Sequence, residues 1–290
     1  MIVVDKPEGW TSHDAVGKVR RICREKSVGH LGTLDPLATG VLPLILGRAT
    51  RLARFFTGND KRYDALVRFG ITTDSYDRDG DVVGTAENFH VDREQVEAAL
   101  KDFRGEIQQM PPPICAKKVS GVRAYKLARK KVAVELEPVP VMIHSLEITE
   151  FDGNTARLLV HCGAGTYLRS IAHDLGQKLG CGAILQALRR LSSGVFTIEQ
   201  AHTLDSLQGL ADAGDVVQAL IPAEELLPEF PAERVDSITA RQIRQGRLFR
   251  VSPFRLRPDT RFVKAITDDG QLLAIGEVRL PHTYHPILVL

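Results

Sequence analysis

Between residues 29 and 40 the chain reads Gly29-His30-Leu31-Gly32-Thr33-Leu34-Asp35-Pro36-Leu37-Ala38-Thr39-Gly40, and no other stretch restricts the fold so tightly. Pro36 fixes its own φ and pushes Asp35 towards an extended backbone, while Gly29, Gly32 and Gly40 admit turns that other residues resist. The run Val41-Leu42-Pro43-Leu44-Ile45-Leu46-Gly47 behind it reads as a buried strand that anchors the loop. Two readings of Asp35 follow. It either caps its own backbone in an Asx turn, or it is a carboxylate held still for chemistry. A histidine, two hydroxyls (Thr33 and Thr39) and an acid packed between glycines exceed what a turn requires, which favours the second.

A chain of 290 residues, 43% hydrophobic and 26% charged, is long enough for two domains with a real core. Met1-Ile2-Val3-Val4 runs straight into Asp5-Lys6-Pro7 with no targeting pattern, and no apolar stretch approaches membrane-spanning length. The expectation is a cytoplasmic protein without membrane association. Cys23, Cys115, Cys162 and Cys181 are scattered, which suggests neither a zinc knuckle nor a disulfide framework. The net charge of +2 is small, but the cations are clustered. Lys117 to Lys131 holds Lys117, Lys118, Arg123, Lys126, Arg129, Lys130 and Lys131 with no acid, and Arg241 to Lys264 carries eight cations against Asp259 alone. Two such runs in a near-neutral chain point to a phosphate backbone as partner.

In chain order, Ile2 to Val4 reads as a strand, and Thr11 with Asp14 forms a capping box for a helix whose outer face is basic. A buried strand follows the Asp35 loop, then a short helix from Ala49 to Phe56 and an alternating strand from Arg62 to Phe69. Thr72 to Gly80 is dense in turn formers, and its acids Asp74, Asp77, Asp79 and Asp81 lack EF-hand spacing and read as a polar loop. Asp92 caps the next helix, and Pro111-Pro112-Pro113 forces a surface crossing. Tyr125 to Lys130 reads as a short basic helix, and Val139 to Phe151 and Ala156 to Cys162 as strands joined at Asp152-Gly153-Asn154. A helix from Thr166 to Leu179, with Thr166 as N-cap, follows Gly163-Ala164-Gly165, and a second helix spans Ala183 to Leu191. Asp205 to Leu227 is loosely helical. A change of composition at Pro228 to Pro231 separates residues 1–228 from a small, mostly β module, residues 229–290.

These motifs together resemble the bacterial tRNA pseudouridine-55 synthases, the TruB family. The resemblance rests on Asp5-Lys6-Pro7 with Thr11-Ser12-His13-Asp14, the stretch Gly29 to Gly40, Lys61-Arg62-Tyr63, Gly165-Thr166-Tyr167-Leu168-Arg169 and Leu188-Arg189-Arg190. The chain departs from it at Ile114-Cys115, where Tyr-Ser is more usual, and at Trp10, where Met is. The resemblance implies an α+β fold with a mixed, largely antiparallel sheet and peripheral helices in 1–228, the catalytic domain. It also implies a PUA-like RNA-binding module in 229–290. It implies isomerisation of uridine 55 in the tRNA T stem-loop, on a flipped-out nucleotide, with no cofactor, no metal and no obligatory protein partner.

Conversion of uridine to pseudouridine needs one carboxylate nucleophile and no redox step. The resemblance makes Asp35 that nucleophile, Arg169 the cation that keeps it ionised, and Tyr63 the aromatic on which the uracil stacks. Tyr167 and Leu188 wall the pocket by the same resemblance, and His30 fills the gap left by the flipped nucleotide. Lys6 either braces the Asp35 loop or touches phosphate. Three other readings stand beside this one. A nucleotidyltransferase would need a second histidine after Gly32, where Thr33 stands, and a metal-dependent phosphotransferase would need clustered carboxylates. An RNA-binding scaffold would use the same basic runs without turnover.

Overall fold

The computed structural model describes residues 1–115, 118–119, 122–123, 136–257 and 259–290. The helix expected at Tyr125 to Lys130 and most of the first basic run lie outside the described residues. Five α-helices are present among them: α1 (Ser12–Ile22), α2 (Arg93–Leu100), α3 (Leu168–Lys178), α4 (Leu204–Asp212) and α5 (Ser237–Arg244).

The main sheet has nine strands: β1 (Ile2–Lys6), β2 (Val28–His30), β3 (Ala38–Leu46), β4 (Lys61–Phe69), β7 (Gly105–Gln109), β10 (Val139–Phe151), β11 (Thr155–Cys162), β12 (Ala183–Ser193) and β13 (Phe196–Thr197). Its main path runs β1-β3-β12-β4-β11-β10-β7, with β2 on β3 and β13 on β12. All pairings are antiparallel except β3 with β12, so the sheet is mixed and largely antiparallel. Two small hairpins, β5 (Ile71–Thr73) with β6 (Val82–Thr85) and β8 (Lys118–Val119) with β9 (Val122–Arg123), stand apart from it. A five-stranded sheet closes the chain, ordered β14 (Ala232–Val235), β16 (Phe262–Thr267), β17 (Leu272–Leu280), β18 (Thr283–Val289) and β15 (Phe249–Arg250).

Each strand's sequence pattern follows from how many of its faces are covered. In β4, Tyr63, Ala65, Val67 and Phe69 are buried and alternate with exposed or half-buried residues, because one face packs under the helices. α3 supplies that cover through Leu168, Ile171, Ala172 and Leu175. From Val41 to Leu46 β3 is apolar because both its faces are buried. Leu42 and Leu44 enter the helix-covered core, whereas Val41 and Ile45 enter a second core with Ile266, Leu272, Ile275 and Leu288 of the C-terminal sheet. The ring cluster Phe55, Phe230 and Phe262, with centroids 5.2–5.6 Å apart, extends that second core. The C-terminal module therefore packs against the same strand that carries the Asp35 loop.

The segment Ala183 to Leu191 is a strand, not the expected helix. Alanine, leucine, glutamine and arginine are all good helix formers, so local propensity points the wrong way. The segment instead pairs with β4 on one side and β3 on the other, and satisfies its backbone there with two register shifts. Burial in the middle of a sheet outweighs a few tenths of a kcal/mol per residue of propensity. The expected short helix near residue 50 is a 3-10 helix over Gly47–Phe55, and the segment after α4 continues only as 3-10 turns.

Candidate active site

The loop from Gly32 to Pro36 is fixed by three side chains from distant parts of the chain. Ser12, the first residue of α1, accepts from the Leu34 N–H at 2.8 Å and donates to the Leu34 carbonyl at 3.0 Å. Lys6, fully buried at the end of β1, donates to the carbonyls of Pro7, Trp10 and Pro36 at 2.8, 2.6 and 3.3 Å. Arg190, also fully buried, donates to the carbonyls of Val41, Gly32 and Thr33 at 2.6, 3.1 and 3.4 Å. The Lys6 ammonium thus makes its hydrogen bonds within the protein, one of them to the loop. Burial pushes its ammonium down to about 8, with the nearby Asp35 carboxylate opposing that shift. Gly40 is glycine for a steric reason. Its φ is +97°, and a Cβ there would lie 2.2 Å from the Arg190 carbonyl oxygen across the parallel β3–β12 pair. Gly29, by contrast, is an ordinary strand residue of β2.

Asp35 does not cap its own backbone. Its Oδ2 accepts from Arg169 Nε at 3.0 Å, and its other oxygen has no hydrogen-bond partner among the described residues. The Asp35 side chain is 37% exposed, so the carboxylate faces an opening. Arg169 lies in the first turn of α3, with its side chain 6% exposed. Its remaining nitrogens donate to the carbonyls of Ser75 and Ile114, both at 2.9 Å, so the guanidinium is held from three directions before any substrate arrives. Thr166 is not the cap of this helix. Tyr167 occupies the N-cap, and its backbone N–H and carbonyl are both bonded to the Gln109 side-chain amide at 2.8 and 3.0 Å, while Thr166 Oγ1 donates to the Gly163 carbonyl.

Sequence reasoning missed Asp77. Its neighbours Asp74, Asp79 and Asp81 are exposed as expected of a polar turn, but Asp77 is turned inward at 4% exposure, with Oδ2 3.6 Å from Arg169 Nε. Ser75 Oγ donates to Asp77 Oδ1 at 2.6 Å, and the Asp79 N–H does so at 3.1 Å. The loop is locked onto β12 through Leu185, which bonds Tyr76 and Arg78. Burial raises the Asp77 carboxyl, with Ser75 and Arg169 opposing. No local signal separates Asp77 from the acids around it. Asp35 and Asp77 share one guanidinium, so the charge between the two carboxylates is already supplied by protein.

Tyr63 projects from β4 at 7% exposure, opposite Arg190 of β12. Desolvation raises its phenol, with the positive charge of Arg190 opposing. The Asp35 carboxylate lies within electrostatic reach of it and also raises it slightly. Tyr167 is half-buried, and its phenol is pushed up to about 12 by burial first and by adjacent Cys115 second. Leu188 of β12 is 8% exposed and sits between Ala38 of β3 and Ala65 of β4, beside Tyr63 in the core. His30 stands opposite Leu44 on β2, the strand that leads into the loop. Asp35 and Arg169 are thus in contact, the Tyr63 and Tyr167 phenols lie within electrostatic reach of Asp35, and Leu188 lies on β12 between β3 and β4. His30 and Lys6 are on the strands that frame the loop.

Comparison with known proteins gives the family of the chain. The model of the TruB family pseudouridylate synthase N-terminal domain matches residues 20–168, and that of the tRNA pseudouridylate synthase B C-terminal domain matches 169–228. The chain is 58% identical to tRNA pseudouridine synthase B of Solibacter usitatus over 290 residues, covering 100% of this chain and 99% of the relative. It is 41% identical to the protein of that name from Pseudomonas fluorescens over 281 residues, covering 96% and 91%. Among solved structures, the archaeal box H/ACA Nop10-Cbf5 complex aligns with a TM-score of 0.69 at 26% identity, over 96% of this chain and 78% of that one.

Proposed function

Because the chain belongs to the TruB family of pseudouridylate synthases, an enzyme family that isomerises uridine in RNA, we propose that it converts uridine 55 of a cytoplasmic tRNA, with Asp35 as the nucleophile. The observation that carries this reading is the geometry of Asp35. One carboxylate oxygen is held by a buried arginine while the Asp35 side chain stays 37% exposed, and the Tyr63 phenol lies within its electrostatic reach. Binding through Arg169 keeps the carboxylate ionised and aimed. Attack by the free oxygen on the nucleoside, together with cleavage of the bond from ribose C1′ to N1, lets the uracil turn. C5 then joins C1′, the bond between Asp35 and the nucleoside breaks with its electron pair returning to the carboxylate, C5 loses its proton and N1 gains one, so atoms and charge balance without an external reactant.

The uridine must leave the T loop to reach this site. Stacking on Tyr63 is worth about 1–3 kcal/mol, which offsets much of the few kcal/mol needed to extrude a nucleotide. The raised Tyr63 phenol stays protonated at neutral pH, and the family resemblance assigns its hydroxyl to the site of proton loss from C5. Tyr167 and Leu188 close the pocket, and His30 takes the place of the flipped base. Residues 1–228 are the catalytic domain, and 229–290 hold the tRNA through exposed arginines. No protein partner is required.

The test is Asp35→Asn, which keeps shape and hydrogen-bond acceptance but removes the nucleophilic charge. Single-turnover pseudouridine formation by the purified chain should fall below detection, whereas tRNA affinity, dominated by phosphate contacts and stacking, should persist. Near-normal turnover in a folded Asp35→Asn protein refutes the assignment. Mapping the product at nucleotide resolution tests the position, and product at a uridine other than 55 refutes that part alone.

A further inference from the structure

Away from Asp35, one group of side chains has a geometry that the isomerisation does not use. Asp60 lies just before β4, His161 is on β11 and His144 on β10. Their ligand atoms all lie within 4.8 Å of one another. His144 Nε2 is 3.2 Å and His161 Nε2 is 3.7 Å from the same Asp60 oxygen, Oδ2, and the two imidazole rings stand 4.6 Å apart. We propose that Asp60, His144 and His161 form a binding site for a divalent first-row transition ion of the Zn²⁺ type.

The spacing suits such an ion. Metal-to-ligand bonds of about 2.0–2.2 Å place tetrahedral ligands about 3.3–3.5 Å apart, so the two measured separations from Asp60 bracket that value and a modest rotation of the exposed His144 ring closes the third. Backbone features hold the three residues in place. In the β10–β11 pair, Ile143 faces Cys162 and Ser145 faces His161, so His144 is the extra residue of a β-bulge, a device that re-aims a side chain. The Asp60 carbonyl accepts from Gly194 N–H at 2.8 Å, which ties this residue to the turn after β12. The donors also suit it. Two imidazoles and a carboxylate form a donor set that favours Zn²⁺ and its neighbours over Mg²⁺ or Ca²⁺. Because Asp60 and His144 are exposed, a fourth position is left open to water.

The site is separate from the reaction centre. His161 alternates with buried Val160 and Cys162, and Val160 pairs with Tyr63, so the histidine projects from the sheet face opposite Tyr63. A bound ion would join the adjacent strands β10 and β11 to the segment entering β4.

The experiment titrates Zn²⁺ into the metal-stripped full chain by calorimetry, and follows Co²⁺ by visible absorption as a coordination probe. One equivalent should bind, and the Co²⁺ spectrum should be that of a low-coordinate nitrogen and oxygen site. His144→Ala and His161→Ala should each weaken Zn²⁺ by at least about tenfold, since removing even outer partners of metal ligands costs that much. Zn²⁺ should raise the unfolding temperature of the unaltered chain but not of the folded double variant. Equal Zn²⁺ affinity and stoichiometry in the double variant overturns the proposal, as does no binding to the unaltered chain. In the latter case the three side chains are a surface ion-pair cluster only.

Discussion

Replacing Arg169 by methionine keeps the aliphatic stem of the side chain but removes its charge and all its donors. Three losses follow. The Asp35 carboxylate loses its partner at 3.0 Å, but at 37% exposure it regains water and contributes little to the stability change. The carbonyls of Ser75 and Ile114 lose donors at 2.9 Å. A buried acceptor left unpaired costs about 1–3 kcal/mol, with Ile114 towards the lower end because it is only partly buried. Asp77, 4% exposed, is left with a buried charge and no counter-ion. Breaking a buried ion pair from one side costs about 3–5 kcal/mol, and since these losses share one guanidinium they are not additive, so about 3–5 kcal/mol is expected for the whole change. That is a large share of the roughly 5–15 kcal/mol by which domains are stable.

The pH dependence distinguishes this account from simple loss of packing. Burial already raises the Asp77 carboxyl, and Arg169 opposes that shift, so Arg169→Met raises it further. A carboxyl whose folded pKa exceeds its unfolded value binds more protons when folded, so stability increases as pH falls from neutral through the raised pKa towards the ordinary 3.8. The deficit of Arg169→Met should therefore be largest near neutrality and shrink on acidification to about pH 5. Adding Asp77→Asn should recover part of it at neutral pH. Denaturant unfolding of the single and double variants at both pH values is the assay. A deficit below about 1 kcal/mol, or one that neither acid nor Asp77→Asn reduces, refutes the reasoning.

Three further outcomes can be checked. Gly40→Ala should destabilise by more than about 1 kcal/mol and slow turnover, because the new Cβ meets the Arg190 backbone, which cannot move aside as a flexible side chain could; denaturant melts and single-turnover rates read this. Changing the exposed Arg241, Arg244, Arg247 and Arg250 to alanine should weaken tRNA binding and flatten its dependence on salt, by a slope of about 0.9 for each phosphate no longer neutralised, while single-turnover chemistry at saturating enzyme stays near normal. An excess of chelator, with tRNA folded beforehand, should leave turnover intact, since the reaction needs a carboxylate and not a Lewis acid; loss restored by a divalent ion would count against this.

Much of this protein is written in local sequence because the physics there is local. The capping boxes at Thr11 with Asp14 and at Asp92 with Gln95 join neighbours three residues apart, so helix starts were readable. The strands from Val139 to Phe151 and Thr155 to Cys162 were readable for the same reason, through the turn at Asp152, whose carboxylate accepts from the N–H groups of Asn154 and Thr155. Asp35 itself stood out because proline and glycine act on adjacent dihedrals. What tertiary structure decided was every relation in which a distant partner outweighs local preference. Ala183 to Leu191 has helical propensity and becomes a strand because β3 and β4 each offer it a ladder. Lys6, Ser12 and Arg190 hold a loop that lies far from all three in sequence, and Asp77 alone among four similar acids turns inward, to a guanidinium carried by a helix 92 residues later. A buried charge is tolerable only where such a partner waits, and that partner exists only once the chain has folded.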